Sequence, residues 1–168
     1  MIFLETERLI LRNVQPDDAA VMFDYRNNEI CARYQRGQTK DFAGIEELVA
    51  KRAGDTLTDE ANTMVAVALK ETGEMVGEII VMPNDGCFTY GYTFSYKHHR
   101  KGYAFEALSA LMELLHVRYP EMEFIAFTDP ENVPSRRLLE KLGYTDLGYA
   151  EKVTSNVYGK WLKEDSEN

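Results

Sequence analysis

Hydrophobic residues recur along the chain with a period that changes several times, and each change marks an element. Across residues 7–14, Leu9 and Leu11 alternate with Arg8, Ile10 and Arg12, a two-residue rhythm broken only by Ile10, which predicts a strand. Pro16 then opens a helix. Its missing N–H costs nothing in a first turn, Asp17 and Asp18 suit the positive end of the helix dipole, and Ala19, Met22 and Phe23 supply the apolar stripe. Asp41 reads as the cap of a second helix, with Phe42, Ile45, Leu48 and Val49 on one face and an end near Gly54. The middle of the chain reads as a three-stranded meander. Residues 64–69 form a nearly continuous apolar strand, residues 71–74 turn, residues 75–82 return, residues 83–86 turn again, and residues 87–96 run as the next strand.

After Gly102 the period becomes helical. Ala104, Ala107, Leu108, Leu111 and Leu115 share one face, and Pro120 must end the helix. Residues 123–128 are another strand. Asn132 caps a last helix packed by Leu138, Leu139 and Leu142 and stopped by Gly143, and residues 144–149 and 155–162 finish as two strands. The order βααβββαβαββ predicts a mixed α/β fold, a mostly antiparallel sheet with helices on both faces rather than a doubly wound parallel sheet. No repeat or linker divides the chain, so residues 1–162 are expected to form one domain and residues 163–168 a solvated tail.

Charge narrows the function classes. The 168 residues carry 19 Lys and Arg against 28 Asp and Glu, a net charge of −9, while 45% are apolar. That apolar share excludes a disordered chain, and the acidity argues against a nucleic-acid partner and for a cationic one such as an amine. Cys31 and Cys87 belong to no CxxC pair, and no apolar run nears the ~20 residues of a membrane helix, so a reducing, cytoplasmic setting without membrane association is expected. No metal is expected, since His98, His99 and His116 are the only histidines and adjacent ones on an extended segment point apart. Nothing in the sequence reveals an oligomeric state.

Against this acidic background, His98, His99, Arg100 and Lys101 gather with Lys97 between a strand and a helix, followed by Gly102, Tyr103 and Ala104. A helix start offers unpaired N–H groups and about half a positive charge, and a glycine lets backbone approach a ligand closely, so this segment predicts a phosphate cradle. It is neither a Walker loop nor a dinucleotide fingerprint. It resembles the acetyl-CoA pyrophosphate loop of the GNAT superfamily of N-acetyltransferases, Q/R-x-x-G-x-G/A, with His99 in place of the usual Gln or Arg, then Gly102 and Ala104. Residues 129–144, with Asn132, Ser135 and the run Glu140-Lys141-Leu142-Gly143-Tyr144, are similar to a later motif of the same family. The run Glu7-Arg8-Leu9-Ile10-Leu11-Arg12 resembles the branch that acetylates ribosomal-protein N-termini.

The resemblance implies a GNAT fold, acetyl-CoA as cosubstrate, and direct acetyl transfer to a primary amine, with a protein or peptide N-terminus as the expected acceptor. The alternatives are a small amine (polyamine, amino sugar or amino acid) or a non-catalytic acyl-CoA sensor. It implies cofactor contacts from Phe94, Tyr96, His99, Arg100, Lys101, Gly102, Tyr103, Ala104, Asn132 and Ser135. Asn132 also has an ordinary reading as a helix cap. Ser135 is the implied acid for the leaving thiolate, because Leu139 occupies the position where many relatives carry a tyrosine. Thr89 stands where the branch often has its glutamate base. By parity, Tyr90, Tyr92, Phe94 and Tyr96 should face the core, while Thr89, Gly91, Thr93 and Ser95 form a small polar face for pantetheine or substrate. A four-residue turn at 83–86 sets Glu78 opposite Gly91 and makes it the expected replacement base. Residues 16–54 and the loop at 151–155 are left to choose the acceptor. Within them Tyr25, Arg26, Tyr34 and Arg36 are candidates to line the acceptor site but equally fit ordinary surface residues, which is how they are read.

Overall fold

An eight-stranded sheet forms the centre of the computed structural model, which describes residues 1–164. In chain order the elements are β1 (Ile2–Glu5), β2 (Leu9–Arg12), α1 (Asp18–Arg26), α2 (Glu29–Ala32), α3 (Phe42–Arg52), β3 (Thr63–Leu69), β4 (Met75–Asn84), β5 (Cys87–Phe94), α4 (Tyr103–Arg118), β6 (Glu123–Thr128), α5 (Val133–Lys141), β7 (Thr145–Ala150) and β8 (Ser155–Lys160). The strands lie in the order β1-β2-β3-β4-β5-β6-β8-β7, antiparallel throughout except where β5 meets β6. The expected mixed α/β architecture is therefore present, with one additional strand, β1, and one additional short helix, α2. Both are four residues long, too short for hydrophobic periodicity to reveal them. Of the expected tail, residues 165–168 lie outside the described residues.

Burial follows from the position of each strand. Six of the seven residues of β3 are buried, because helices cover both faces of the sheet there. Val65, Val67, Ile79, Val81, Phe88 and Phe124 pack with Leu108, Leu111 and Leu115 of α4 on one face. Met64, Ala66 and Met75 pack with Met22 and Tyr25 of α1 and Ile45 and Val49 of α3 on the other. Each such side chain contributes about 1.5–3 kcal/mol of burial free energy. The Asp41 carboxylate caps α3 by accepting from the Gly44 N–H at 2.9 Å, as its place in the sequence predicts. Phe23, expected in the α1 stripe, is instead exposed and stacks edge-on against the equally exposed Phe42. The buried side of α1 is Asp18, Ala19, Met22, Tyr25 and Arg26. Tyr25 and Arg26 are thus core residues, contrary to their surface reading. Among the described residues, no helix is long and apolar enough to cross a membrane.

Two departures in the meander shape the site. Strand β4 runs two residues further than expected, to Asn84, and the turn shrinks to Asp85 and Gly86, both at positive φ as a two-residue hairpin turn requires. Asn84 pairs with Cys87, so Glu78 pairs with Thr93 rather than Gly91. A shift of two preserves parity and leaves Glu78 on its expected face. Strand β5 also ends early, at Phe94, and Tyr96 enters a 3₁₀ turn that carries it to the opposite core from Tyr90, Tyr92 and Phe94.

Candidate active site

Strands β5 and β6 pair only at Cys87 with Glu123 and Phe88 with Phe124. Beyond that point β5 stays on β4 as far as Phe94 and β6 stays on β8 as far as Thr128, so the two halves of the sheet splay apart. The splay opens a cleft of about 1430 Å³ lined by α2 and the segment after it, the end of β5, the start of α4, and α5. Ser95 donates its N–H to the Val76 carbonyl, so odd-numbered β5 residues bond to β4. The backbone groups of Tyr92 and Phe94 therefore face the splay. Their carbonyls are already occupied. The Gln35 amide donates to the Tyr92 oxygen at 3.0 Å, and the Cys31 thiol and the His99 ring meet the Phe94 oxygen at 3.4 and 2.7 Å. The Tyr92 and Phe94 N–H groups remain directed into the cleft. The ligand-facing surface of β5 is thus its edge and not its Thr89–Ser95 face, since Thr93 and Ser95 are buried.

At one end of the cleft the basic loop meets the start of α4. Arg100 and Gly102 both adopt left-handed φ values, 65° and 79°. The amides of Tyr103, Ala104 and Phe105 head the helix without a side-chain cap, a concave set of donors suited to a phosphate. Arg8 fixes this loop from β2's side of the molecule. Its guanidinium donates to the Lys101 carbonyl at 2.9 Å and to the Glu106 carboxylate at 2.7 Å, and it lies 4.6 Å from the centre of the Tyr103 ring. Burial opposes charge on Glu106, but hydrogen bonds from Thr6 and Arg8 hold its carboxyl below the usual range. His99, the departure from the family motif, bonds to the end of β5 and so ties the loop to the strand.

The cleft brings together Phe94, His99, Arg100, Gly102, Tyr103, Ala104, Asn132 and Ser135 from the expected set. It does not bring in Tyr96, whose hydroxyl donates to Asp24 at 3.2 Å, or the exposed Lys101 side chain. Asn132 accepts the Ser135 N–H at 3.3 Å, so its capping role is present. The Ser135 hydroxyl lies 2.7 Å from the hydroxyl of Tyr92, across the cleft from α5 to β5. Leu139 is buried in the core.

Glu78 is placed differently from the expectation. It is 1% exposed and is gripped by Arg26 through two hydrogen bonds of 2.8 and 2.7 Å. Burial disfavours the Arg26 charge, but the bonds and charge of Glu78 more than offset this and hold its pKa above the ordinary value. Arg26 also donates to the Thr39 carbonyl at 3.0 Å, so the pair anchors the segment between α2 and α3. Each carboxylate oxygen is bonded to the guanidinium, and Glu78 is absent from the cleft wall. The structure thus gives Glu78 a structural partner where sequence reasoning saw a base.

A family model described as an acetyltransferase (GNAT) domain matches residues 8–145. The chain belongs to the GNAT acetyltransferases. It is similar to the Bacillus subtilis (strain 168) N-acetyltransferase YnaD, with 26% identity over 151 residues covering 89% of this chain and 86% of that one. A GNAT-family acetyltransferase structure from Bacillus anthracis superposes with a TM-score of 0.80 at 24% identity, covering 95% of this chain and 96% of the other. The ribosomal-protein-S5-alanine acetyltransferase of Vibrio fischeri superposes with a TM-score of 0.78 at 15% identity, covering 98% of each chain. At those identities the two structures show the shared fold. The protein is an acetyl-CoA-dependent N-acetyltransferase.

The cleft fits that cosubstrate. Charged residues on its wall are Arg33, Lys40, Arg100, Arg137 and Lys141 against Glu29 and Glu131, a basic lining in a chain of net charge −9. Uncapped α4 amides suit the pyrophosphate, and the free β5 N–H groups suit the pantetheine arm and the thioester carbonyl. Sequence reasoning missed Arg8, Tyr92 and Gln35 as parts of this site. For Arg8 a signal existed, since it sits in a quoted motif. Tyr92 and Gln35 gave none, because their roles depend on the splay.

Proposed function

We propose that this GNAT enzyme transfers the acetyl group to the α-amine of a protein or peptide. The observation that carries the reading is the charge of the cleft. Among the described residues its wall carries two carboxylates, Glu29 and Glu131, and so no acidic cluster to hold a polycation such as a polyamine, while its five Lys and Arg residues suit the phosphates of the cosubstrate. The cleft, of about 1430 Å³, is open to solvent along one side, from which an acceptor segment can approach. Tyr34 donates to the Glu131 carbonyl and Arg36 to Thr154, so the segment after α2 meets the β6–α5 and β7–β8 connections at the rim. The fold shared with an enzyme named for a ribosomal-protein alanine supports the same reading.

In this mechanism the neutral amine attacks the thioester carbonyl, whose oxygen is polarised by a β5 amide near Phe94. Water in the open cleft takes the ammonium proton, because Glu78 is engaged by Arg26. Ser135, on the cleft wall, is the proposed acid that gives its proton to the sulfur as CoA departs. The test is a competition in which acetyl-CoA is offered with peptides bearing free α-amines, the same peptides blocked at the α-amine but containing lysine, and small amines, with products read by mass spectrometry. Acetylation of free α-amines is expected. Preferential acetylation of a small amine would replace the acceptor class, and CoA binding without any CoA release would make the protein a sensor.

A further inference from the structure

Behind Ser135 lies a second hydroxyl that the family motifs do not include. We propose that Tyr92 is the positioning residue and proton reserve for Ser135, so that thiolate departure runs through a two-hydroxyl relay. The inference rests on the acyl-transfer reading of the site. Three observations carry it. First, the 2.7 Å separation of the two hydroxyl oxygens is that of a well-formed O–H···O bond. Second, either hydroxyl can donate across this separation, and because a phenol, with an ordinary pKa near 10, is a far stronger acid than an aliphatic alcohol, the relay takes Tyr92 as donor and Ser135 as acceptor. The Ser135 proton is then left without another acceptor among the described residues, because Asn132 engages the Ser135 backbone N–H and not its hydroxyl. Both residues line the cleft, so that free proton faces the space the thioester enters. Third, the Tyr92 ring packs against the core that contains Leu139, which holds its hydroxyl in place towards α5. Burial raises the Tyr92 pKa, so the phenol is protonated around neutral pH.

The C–S bond of the tetrahedral intermediate breaks and its electron pair goes to sulfur. Sulfur takes the Ser135 hydroxyl proton while Ser135 takes the Tyr92 proton, leaving a phenolate. The proton released by the attacking ammonium, carried by cleft water, restores the phenol. The products are CoA thiol and the amide.

The experiment uses the full chain with the amine the wild type acetylates best. Tyr92→Phe keeps the ring and removes only the hydroxyl. It should lower kcat about 10–100-fold with the KM for acetyl-CoA little changed. In the Ser135→Ala background it should lower kcat no further, since the relay is already broken. A structural role would not alter the number of protons in flight. The solvent-isotope proton inventory of kcat should therefore be curved in the wild type and linear in Tyr92→Phe. Additive losses in the double variant, or an inventory unchanged by Tyr92→Phe, would overturn the relay. A wild type that releases no CoA with any amine would instead overturn the acyl-transfer reading on which it rests.

Discussion

Replacing Glu78 by glutamine separates a structural carboxylate from a catalytic one. The substitution keeps shape but leaves the Arg26 guanidinium, 4% exposed, without its counter-charge. Removing one partner of a buried ion pair costs about 3–5 kcal/mol, because the remaining charge must stay desolvated or drag the structure open. At roughly 2–4 °C per kcal/mol for a chain of this length, Glu78→Gln should melt about 6–20 °C below the wild type. The Thr39 carbonyl would also lose a well-placed donor, so the segment between α2 and α3 should exchange amide hydrogens faster. An apolar replacement of both partners, Glu78→Leu with Arg26→Met, should recover much of the loss, since filling the site removes the stranded charge. The assay is a thermal melt of each variant beside kcat/KM measured against pH. After correction for folded fraction, the Glu78→Gln profile should superimpose on that of the wild type. A variant that melts with the wild type, loses activity at neutral pH and regains it as the amine deprotonates would refute the structural assignment and restore Glu78 as the base.

Other expectations concern the cosubstrate half of the cleft. Arg8→Met removes the contacts to Lys101 and Glu106, and should raise the KM for acetyl-CoA about tenfold while leaving kcat nearly unchanged. Because Arg8 is largely solvent-exposed, its melting temperature should fall little. Gly77→Ala would set a methyl 2.6 Å from the Phe94 ring and 2.8 Å from the Thr93 carbonyl oxygen. Overpacking of that kind costs about 1–3 kcal/mol, so a drop of roughly 2–12 °C in melting temperature is expected, with weaker acetyl-CoA binding as β5 shifts.

Much of the fold is legible in the sequence because long elements impose their period on it. The α4 stripe and its stop before Pro120, the β3 run and the Asp41 cap are examples. The site is only half legible. The phosphate loop announces itself through charge and glycine, which are local features. The register of β4 and β5 does not, since Asp85-Gly86 competes with Pro83-Asn84 as the turn and the two-residue turn at positive φ wins. Tyr25 and Arg26 look like surface residues because arginine is seldom buried alone. Their burial becomes intelligible only once Glu78 is seen beneath α1. The Tyr92–Ser135 pair depends on the sheet splitting at Phe88, which no local pattern encodes.

The claim on which the account rests is that acetyl-CoA lies between β5 and β6 with its pyrophosphate on the uncapped start of α4. Calorimetric titration of wild type and Gly102→Val with acetyl-CoA and with S-acetylpantetheine tests it most directly. Gly102 has φ 79°, and a Cβ added there would meet the Arg8 guanidinium at 3.5 Å and no core atom within 4 Å, so a branched side chain distorts the cradle without touching the core. The account predicts that Gly102→Val binds acetyl-CoA at least tenfold more weakly, about 1.4 kcal/mol or more, while S-acetylpantetheine, which lacks the pyrophosphate, binds both proteins equally. Undiminished acetyl-CoA affinity in a folded Gly102→Val variant would contradict it.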